Sequence, residues 1–192
     1  MNLRMTTNLL LASSLLLTLA ACGGGGGSSK PKKASALVYT DPTTGTYQLK
    51  KNAGLSNDSR LVLDLVAVNG GTGAGVAFQL TADTTKVSWA KVQDGDADYV
   101  RNGSVFTLGS APQALKSKVS GNALHVVVSQ KGLGGSVALN GTLATVALSL
   151  KTGVTPGSVS LGMVSGKAQA LMASGSDNPV AITITPGTLA AE

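Results

Sequence analysis

The sequence predicts an all-β domain, and three observations support that fold class. Val, Thr, Leu, Ala, Ser and Gly dominate the composition, while charged residues make up only 12% of the 192 residues. Apolar residues do not recur at helical spacing over several turns with a cap at each end. Short apolar runs bounded by Gly, Asn, Asp and Pro recur instead. This pattern is typical of an antiparallel sandwich or barrel made of short strands.

Residues 1–21 predict a secretory signal that precedes the domain. Arg4 gives the segment a basic start, and residues 9–21 are predominantly apolar. The apolar run is shorter than the roughly 20 residues that a membrane-spanning helix needs. It ends in Leu19-Ala20-Ala21-Cys22, which resembles the lipobox of bacterial lipoproteins. That resemblance implies cleavage before Cys22, acylation of its thiol, and a lipid anchor in a membrane.

Residues 22–35 predict the acylated cysteine followed by a flexible linker. Five glycines and two serines precede Lys30-Pro31-Lys32-Lys33, and a Gly/Ser chain behaves as a random coil. Because Cys22 is the only cysteine, its acylation leaves the mature domain without a disulfide or a thiol nucleophile. Gly23 stands where enteric-type lipoproteins of the inner membrane carry an aspartate. The resemblance therefore implies the outer membrane, on either its periplasmic or its surface face.

Residues 36–187 are expected to form one monomeric domain, with residues 188–192 as a C-terminal tail. Residues 37–40 and 46–49 flank Asp-Pro-Thr-Thr-Gly, which predicts a hairpin because Pro and Gly favour a tight turn. Leu61–Val68 is apolar on both faces except for Asp64, which predicts a central strand. The run from residue 76 to residue 81 alternates apolar and polar side chains and predicts that Phe78 faces the core.

Further strands are predicted later in the chain, around an irregular segment at residues 81–103. They are expected at residues 104–108, 123–129, 142–150, 157–161 and 180–185. Residues 168–173 fit either a strand or a single helical turn. The glycine runs at 70–75 and 132–135 are interpreted as turns rather than phosphate loops, because strands flank them on both sides.

Three of the predicted strands carry a family resemblance. Leu61–Asn69, Gly75–Asp83 and Gly141–Leu148 resemble the strand pattern of cohesin-type domains. That resemblance implies a jelly-roll sandwich of about nine strands, a fold shared with some carbohydrate-binding modules. Cellulose-binding relatives carry a flat row of aromatic rings. The mature chain has only six aromatic residues, which are Tyr39, Tyr47, Phe78, Trp89, Tyr99 and Phe106.

The segment from Trp89 to Arg101 is the candidate binding site. It brings together one indole, one phenol, one guanidinium and three carboxylates within the irregular part of the chain. Loops on a rigid scaffold often hold recognition residues, and Trp, Tyr and Arg are common interface anchors. Trp89, Tyr99 and Arg101 are therefore predicted to bind a partner. The alternative is that Trp89 packs into the core while the aspartates keep the loop soluble.

Asp94, Asp96 and Asp98 form the candidate metal site. Their one-three-five spacing is that of a calcium loop, whose hard oxygen ligands can converge on one ion. An EF-hand loop starting at Asp94 would need glycine where Tyr99 stands and glutamate where Val105 stands, so that motif fails. A nonstandard structural calcium site and a solvated acidic loop both remain open. No other cofactor is expected.

Catalytic groupings are missing from the sequence. His125 is the only histidine and lies in the predicted strand 123–129, and no Gly-x-Ser-x-Gly elbow occurs. The net charge of +6 lies largely in the signal and the linker, and no basic stripe interleaved with aromatics follows it, which argues against nucleic acid. We therefore expect a lipid-anchored, non-catalytic module of the cell envelope that binds a protein partner or a surface polymer. The alternative is a carbohydrate-binding module that recognises a polysaccharide.

Overall fold

The computed structural model describes residues 31–106, 113–130, 135–172 and 178–192. Residues 31–192 form one compact unit. No described residue is helical, so strands provide all of the regular structure there and the predicted all-β class is confirmed. The signal, Cys22 and most of the linker lie outside the described residues. Within those residues no helix is long and apolar enough to cross a membrane.

Sixteen short strands make up the described part of the domain. The first eight are β1 (Leu37–Thr40), β2 (Tyr47–Lys51), β3 (Arg60–Ala67), β4 (Thr72–Gly73), β5 (Gly75–Ala82), β6 (Val87–Ala90), β7 (Val100–Asn102) and β8 (Gln113–Ser120). The other eight are β9 (Ala123–Gln130), β10 (Val137–Ala138), β11 (Gly141–Leu150), β12 (Gly157–Val159), β13 (Leu161–Leu171), β14 (Val180–Ala181), β15 (Ile184–Thr185) and β16 (Thr188–Ala191).

Two main sheets contain most of these strands. The six-stranded sheet has the order β15-β2-β3-β11-β6, with β7 also paired to β11. The five-stranded sheet has the order β14-β13-β5-β9-β8. Two small sheets, β1-β16-β12 and β10-β4, complete the described strands. Neighbouring strands are antiparallel except β2 and β15, which run parallel.

The two main sheets share one hydrophobic core, which makes the domain a sandwich. Successive side chains of a strand point to opposite faces, so the alternating strand β5 buries Val76, Phe78 and Leu80. These side chains belong to the same buried cluster as Leu63 and Leu65 of β3. Phe78 is 2% exposed, and the prediction that it faces the core is confirmed. The predicted central position of β3, between β2 and β11, is also confirmed.

The predicted hairpin of residues 37–49 is wrong. Both strands exist, but β1 pairs with β16, whereas β2 pairs with β3 and β15. The turn between them therefore passes from one sheet to another. The Tyr39 hydroxyl fixes this arrangement by donating a hydrogen bond to the Leu49 carbonyl oxygen at 2.8 Å. The same hydroxyl accepts a hydrogen bond from the Gly187 amide at 2.6 Å.

Both expected boundaries of the domain also differ from the structure. Residues 188–192, expected to be a tail, contain the strand β16, which lies between β1 and β12 and buries Leu189 and Ala191. At the other end, residues 33–35 of the expected linker already contact the domain. The Lys33 ammonium donates to the Gly153 carbonyl at 2.8 Å, and the Ala34 amide donates to the Val154 carbonyl at 2.9 Å.

Several strand assignments need correction as well. The ambiguous segment 168–173 is strand as far as Leu171, the end of β13. The predicted strand 180–185 is divided into β14 and β15, and residues 104–106 of the predicted strand 104–108 form a bend and turn. Strands β6 and β7 lie within the segment expected to be irregular, and β8 was not predicted. Residues 107 and 108 lie outside the described residues.

Candidate functional site

Trp89 belongs to the core rather than to an exposed binding loop. It lies on β6 and is 7% exposed, and its indole N–H donates to the Asn122 carbonyl oxygen at 3.0 Å. The inward alternative therefore holds for this residue. Tyr99 is half-buried, and its ring packs against the same core. Its backbone amide donates to Ser117 Oγ at 2.7 Å, which ties the segment to β8.

Arg101 is engaged within its own segment. Its Nε donates to Asp96 Oδ2 at 2.8 Å and its Nη2 donates to Asp96 Oδ1 at 2.5 Å. The Gln93 amide donates to the same carboxylate at 2.9 Å. The Arg101 hydrogen bond is the main cause that lowers the pKa of Asp96 below its usual value, and the same bond raises the pKa of Arg101. This two-pronged pair orders the loop, so the guanidinium is already occupied.

The three aspartates of the candidate metal site do not converge. Asp94 pairs with Arg60 at 2.7 Å, and Asp96 pairs with Arg101. Asp98 accepts a hydrogen bond from Ser117 Oγ at 3.4 Å. Within the described ranges, no group of three or more His, Cys, Asp or Glu side chains could hold a metal ion. The calcium alternative therefore lacks a ligand set in this part of the chain.

The outer faces of the two main sheets differ in how they are covered. On the six-stranded sheet, Val62 and Ala147 are buried beneath Val92, with Leu55 and Ala90 packed against them. These last three residues come from loops and from the end of β6, so the chain covers part of this face itself. No comparable buried cluster forms among the described residues on the outer side of the five-stranded sheet.

The uncovered outer side of the five-stranded sheet is the candidate site, and we call it the open face. The register places Lys116 opposite Val127, and Lys118 opposite His125. On the other side of β9, Gln79 lies opposite His125. Val127 is 38% exposed, and both lysines are exposed. The open face consists of Ala77, Gln79, Lys116, Lys118, His125, Val127, Lys167 and Gln169.

Two shallow grooves run along the open face, one on each side of β9. His125 and Val127 border both grooves and so form a ridge between them. The groove toward β5 and β13 has a volume of about 320 Å³ and is lined by Gln79, Lys167 and Gln169. The groove toward β8 has a volume of about 220 Å³ and is lined by Lys116 and Lys118. The two grooves can receive side chains of a partner on both sides of the ridge, whose apolar residue is Val127.

Aromatic side chains are absent from the open face. All six aromatic residues of the mature chain fall in the described ranges, and five of them are buried. Tyr99, the sixth, packs against the core. A flat sugar-stacking platform is therefore not formed by the residues that the structure describes.

The sequence contained a signal for β8 that composition alone obscures. Leu115, Ser117 and Val119 alternate with Lys116 and Lys118, and this period of two is that of a half-buried strand. The inward set packs toward the core and the lysines point outward. Lysine is depleted in strands on average, so a prediction based on Val and Leu content misses β8.

Comparison with known proteins agrees with the fold. No protein-family model matches this chain, and no curated protein sequence matches it. A chain of the type II cohesin–X–dockerin complex from Acetivibrio cellulolyticus matches with a TM-score of 0.60 and 10% identity, covering 76% of this chain and 98% of its own length. A type II cohesin domain from the cellulosome of the same organism matches with a TM-score of 0.50 and 10% identity, covering 83% and 95%. The chain thus has a cohesin-like jelly-roll sandwich fold.

Proposed function

We propose that this protein is a non-catalytic interaction module that binds a protein partner through its open face. The observation that carries the proposal is the contrast between the two main sheets. The chain buries an apolar cluster on the outer side of one sheet, but leaves Val127 exposed on the other, on β9 between β5 and the edge strand β8. Protein interaction surfaces typically place an apolar centre within a polar rim, and on the open face Val127 and its neighbour Ala77 lie among polar and charged side chains.

The cohesin-like fold supports a protein partner. One of the similar structures is a cohesin–X–dockerin complex, in which a cohesin associates with another protein module. A shared fold does not by itself transfer a function, so the proposal rests on the open face and takes the fold as support. The recognition of polysaccharide by stacked aromatic rings has no such support, because the aromatic residues are used in the core.

The surroundings of the only histidine support a non-catalytic role. A general base usually needs a neighbouring group, often a carboxylate, that orients its ring. The register neighbours of His125 are Gln79 and Lys118, and neither carries a carboxylate. In this setting the imidazole is a polar contact residue of the open face.

We further propose that Cys22 anchors the module to the outer membrane by its acyl chains. The lipobox resemblance and the Gly/Ser linker support this placement. One acyl chain holds a protein to a bilayer only marginally, whereas two or three hold it durably. The tether would present the open face to a partner in the periplasm or at the cell surface.

The docking proposal is tested by using the full-length protein to capture its partner from the cells that make it. Two valines of similar exposure are compared. Val127 on the open face and Val38 on β1 are 38% and 41% exposed, so aspartate is introduced at equally accessible strand positions. Both full-length variants are expected to melt within a few degrees of the wild type. The wild type and Val38→Asp should capture the same protein, and Val127→Asp should lose it. Equal capture by all three chains, or capture of polysaccharide without protein, would contradict the proposal.

A further inference from the structure

We infer that the partner surface that docks on the open face is acidic around an apolar centre. This inference rests on the proposed docking function and adds the chemistry of the partner. Lys116 and Lys118 of β8 lie on one side of the His125 and Val127 ridge, and Lys167 of β13 lies on the other. Neither groove is lined by an aspartate or a glutamate. The open face therefore carries positive charge on both flanks without a negative charge beside it.

The side chains of the three open-face lysines have no partner among the described residues, as is also true of those of Lys32, Lys50, Lys51 and Lys91, whereas five other cations of the domain have one. Arg60 and Arg101 form ion pairs with aspartates. Lys33, Lys86 and Lys151 each donate a hydrogen bond to a backbone carbonyl. Within the described part of the chain, Lys116, Lys118 and Lys167 form neither an ion pair nor a side-chain hydrogen bond.

The acidic group that is hydrogen-bonded to β8 contacts the side of that strand opposite to the lysines. Asp98 accepts its hydrogen bond from Ser117 Oγ. Ser117 lies opposite Val126 in the register, and Val126 is buried in the core, so this serine belongs to the inward set of β8. Asp98 thus approaches the strand from its inner edge, and the outward lysines keep their charge uncompensated.

The charge on the face decides between classes of partner. A basic partner surface would be repelled by the lysines. A neutral partner surface would desolvate the lysines without supplying a counter-charge. Carboxylates on the partner remove both costs and speed the encounter by long-range attraction. The apolar centre of the face favours protein over other polyanions. Val127 lies opposite Ala77, so aliphatic side chains of a partner can pack on the ridge between the two charged flanks.

Selection from a random peptide library on the immobilised full-length chain tests the inference. We expect the enriched peptides to combine aspartate or glutamate with leucine, isoleucine or valine. Their affinity should fall about tenfold or more for the Lys116→Glu, Lys118→Glu double variant, and it should also fall as salt is added. A single-site control is Lys51→Glu, because Lys51 is exposed on β2 in the other main sheet and its substitution should leave the affinity unchanged.

The outcomes separate this inference from the proposed function. Neutral or basic peptides that lose binding to Val127→Asp would overturn the acidic partner while the docking face stands. Acidic peptides that bind the double variant as tightly as the wild type would overturn it too, because they bind elsewhere. Tighter binding of phosphatidylglycerol vesicles or duplex DNA through the same lysines would assign the face to another polyanion. A selection that enriches no peptide would contradict the proposed function as well.

Discussion

Tyr39 shows how one side chain can decide which strands meet. Its hydroxyl group links β1 to the Leu49 carbonyl of β2 and to the Gly187 amide just before β16. A buried polar group without a partner is costly, so these bonds hold the small sheet in place against the main one. Burial is also the main cause that raises the pKa of Tyr39 to about 12.

The raised pKa predicts a loss of stability at high pH. The unfolded phenol ionises near its ordinary pKa of 10.0, while the folded phenol stays neutral until about 12. The contribution of the neutral Tyr39 phenol to the stability of the fold is therefore complete below pH 10, and it is lost as the pH rises through the folded-state pKa of about 12. Melting temperatures over this range should fall more for the wild type than for Tyr39→Phe. Tyr47, whose pKa burial also raises, adds a decline common to both chains. Parallel alkaline curves for the two chains would contradict this account.

Four of the long strands were predicted because each has a long apolar run or a regular alternation of apolar and polar residues. β3, β5, β9 and β11 were found for this reason, and they form the middle of the two main sheets. The pairing of β1 was not predictable, because a turn sequence indicates a reversal but does not say which strand becomes the neighbour. The open face was missed for a related reason. Its ridge on β9 was predicted as a strand, but two of its three lysines lie on the unpredicted β8, and the third lies on β13 outside the segments predicted as strands.

The position of β16 leads to a prediction at the scale of the element. This strand pairs with β1 and β12 on its two sides and buries Leu189, which is 4% exposed. Leu189→Ala should lower the free energy of unfolding by about 2 to 5 kcal/mol, because truncating a buried leucine loses contacts and leaves a cavity. Urea unfolding of the full-length chain measures this change. Thr188→Ala, at an exposed position of the same strand, is the control and should cost far less. If neither variant changed the free energy of unfolding, residues 188–192 would be a tail rather than a strand of the domain.

The whole molecule combines a sandwich that needs no disulfide with a single cysteine at the expected cleavage site. Its described residues pack around one main core, and the two ends of the described domain meet, since the Ser35 and Ala36 amides donate to the Glu192 carbonyl. Lys33 and Ala34 already bond to Gly153 and Val154, so the proposed tether consists of the residues before them. We therefore propose that the mature protein is a folded module attached to the membrane by acyl chains on Cys22.

Mass spectrometry of the purified protein tests this anchor. We predict that the mature chain begins at Cys22, that this residue carries acyl chains, and that the protein enters the detergent phase on phase separation. Cys22→Ser should give an unprocessed or water-soluble product, because the acceptor thiol is gone. Wild-type protein that keeps residues 1–21 and carries no acyl chain would contradict the lipoprotein interpretation.

Photo-crosslinking in cells that make the protein tests the central claim, docking on the open face, most directly. A photo-reactive amino acid is placed at the position of Val127 in one chain and at the position of Val38 in another, since both side chains are similarly exposed. The account predicts one discrete, protease-sensitive adduct from the Val127 position and none from the Val38 position. Adding the Lys116→Glu and Lys118→Glu substitutions should weaken that adduct. The same adduct from both positions, or no adduct from the Val127 position, would contradict the claim that this face docks a protein.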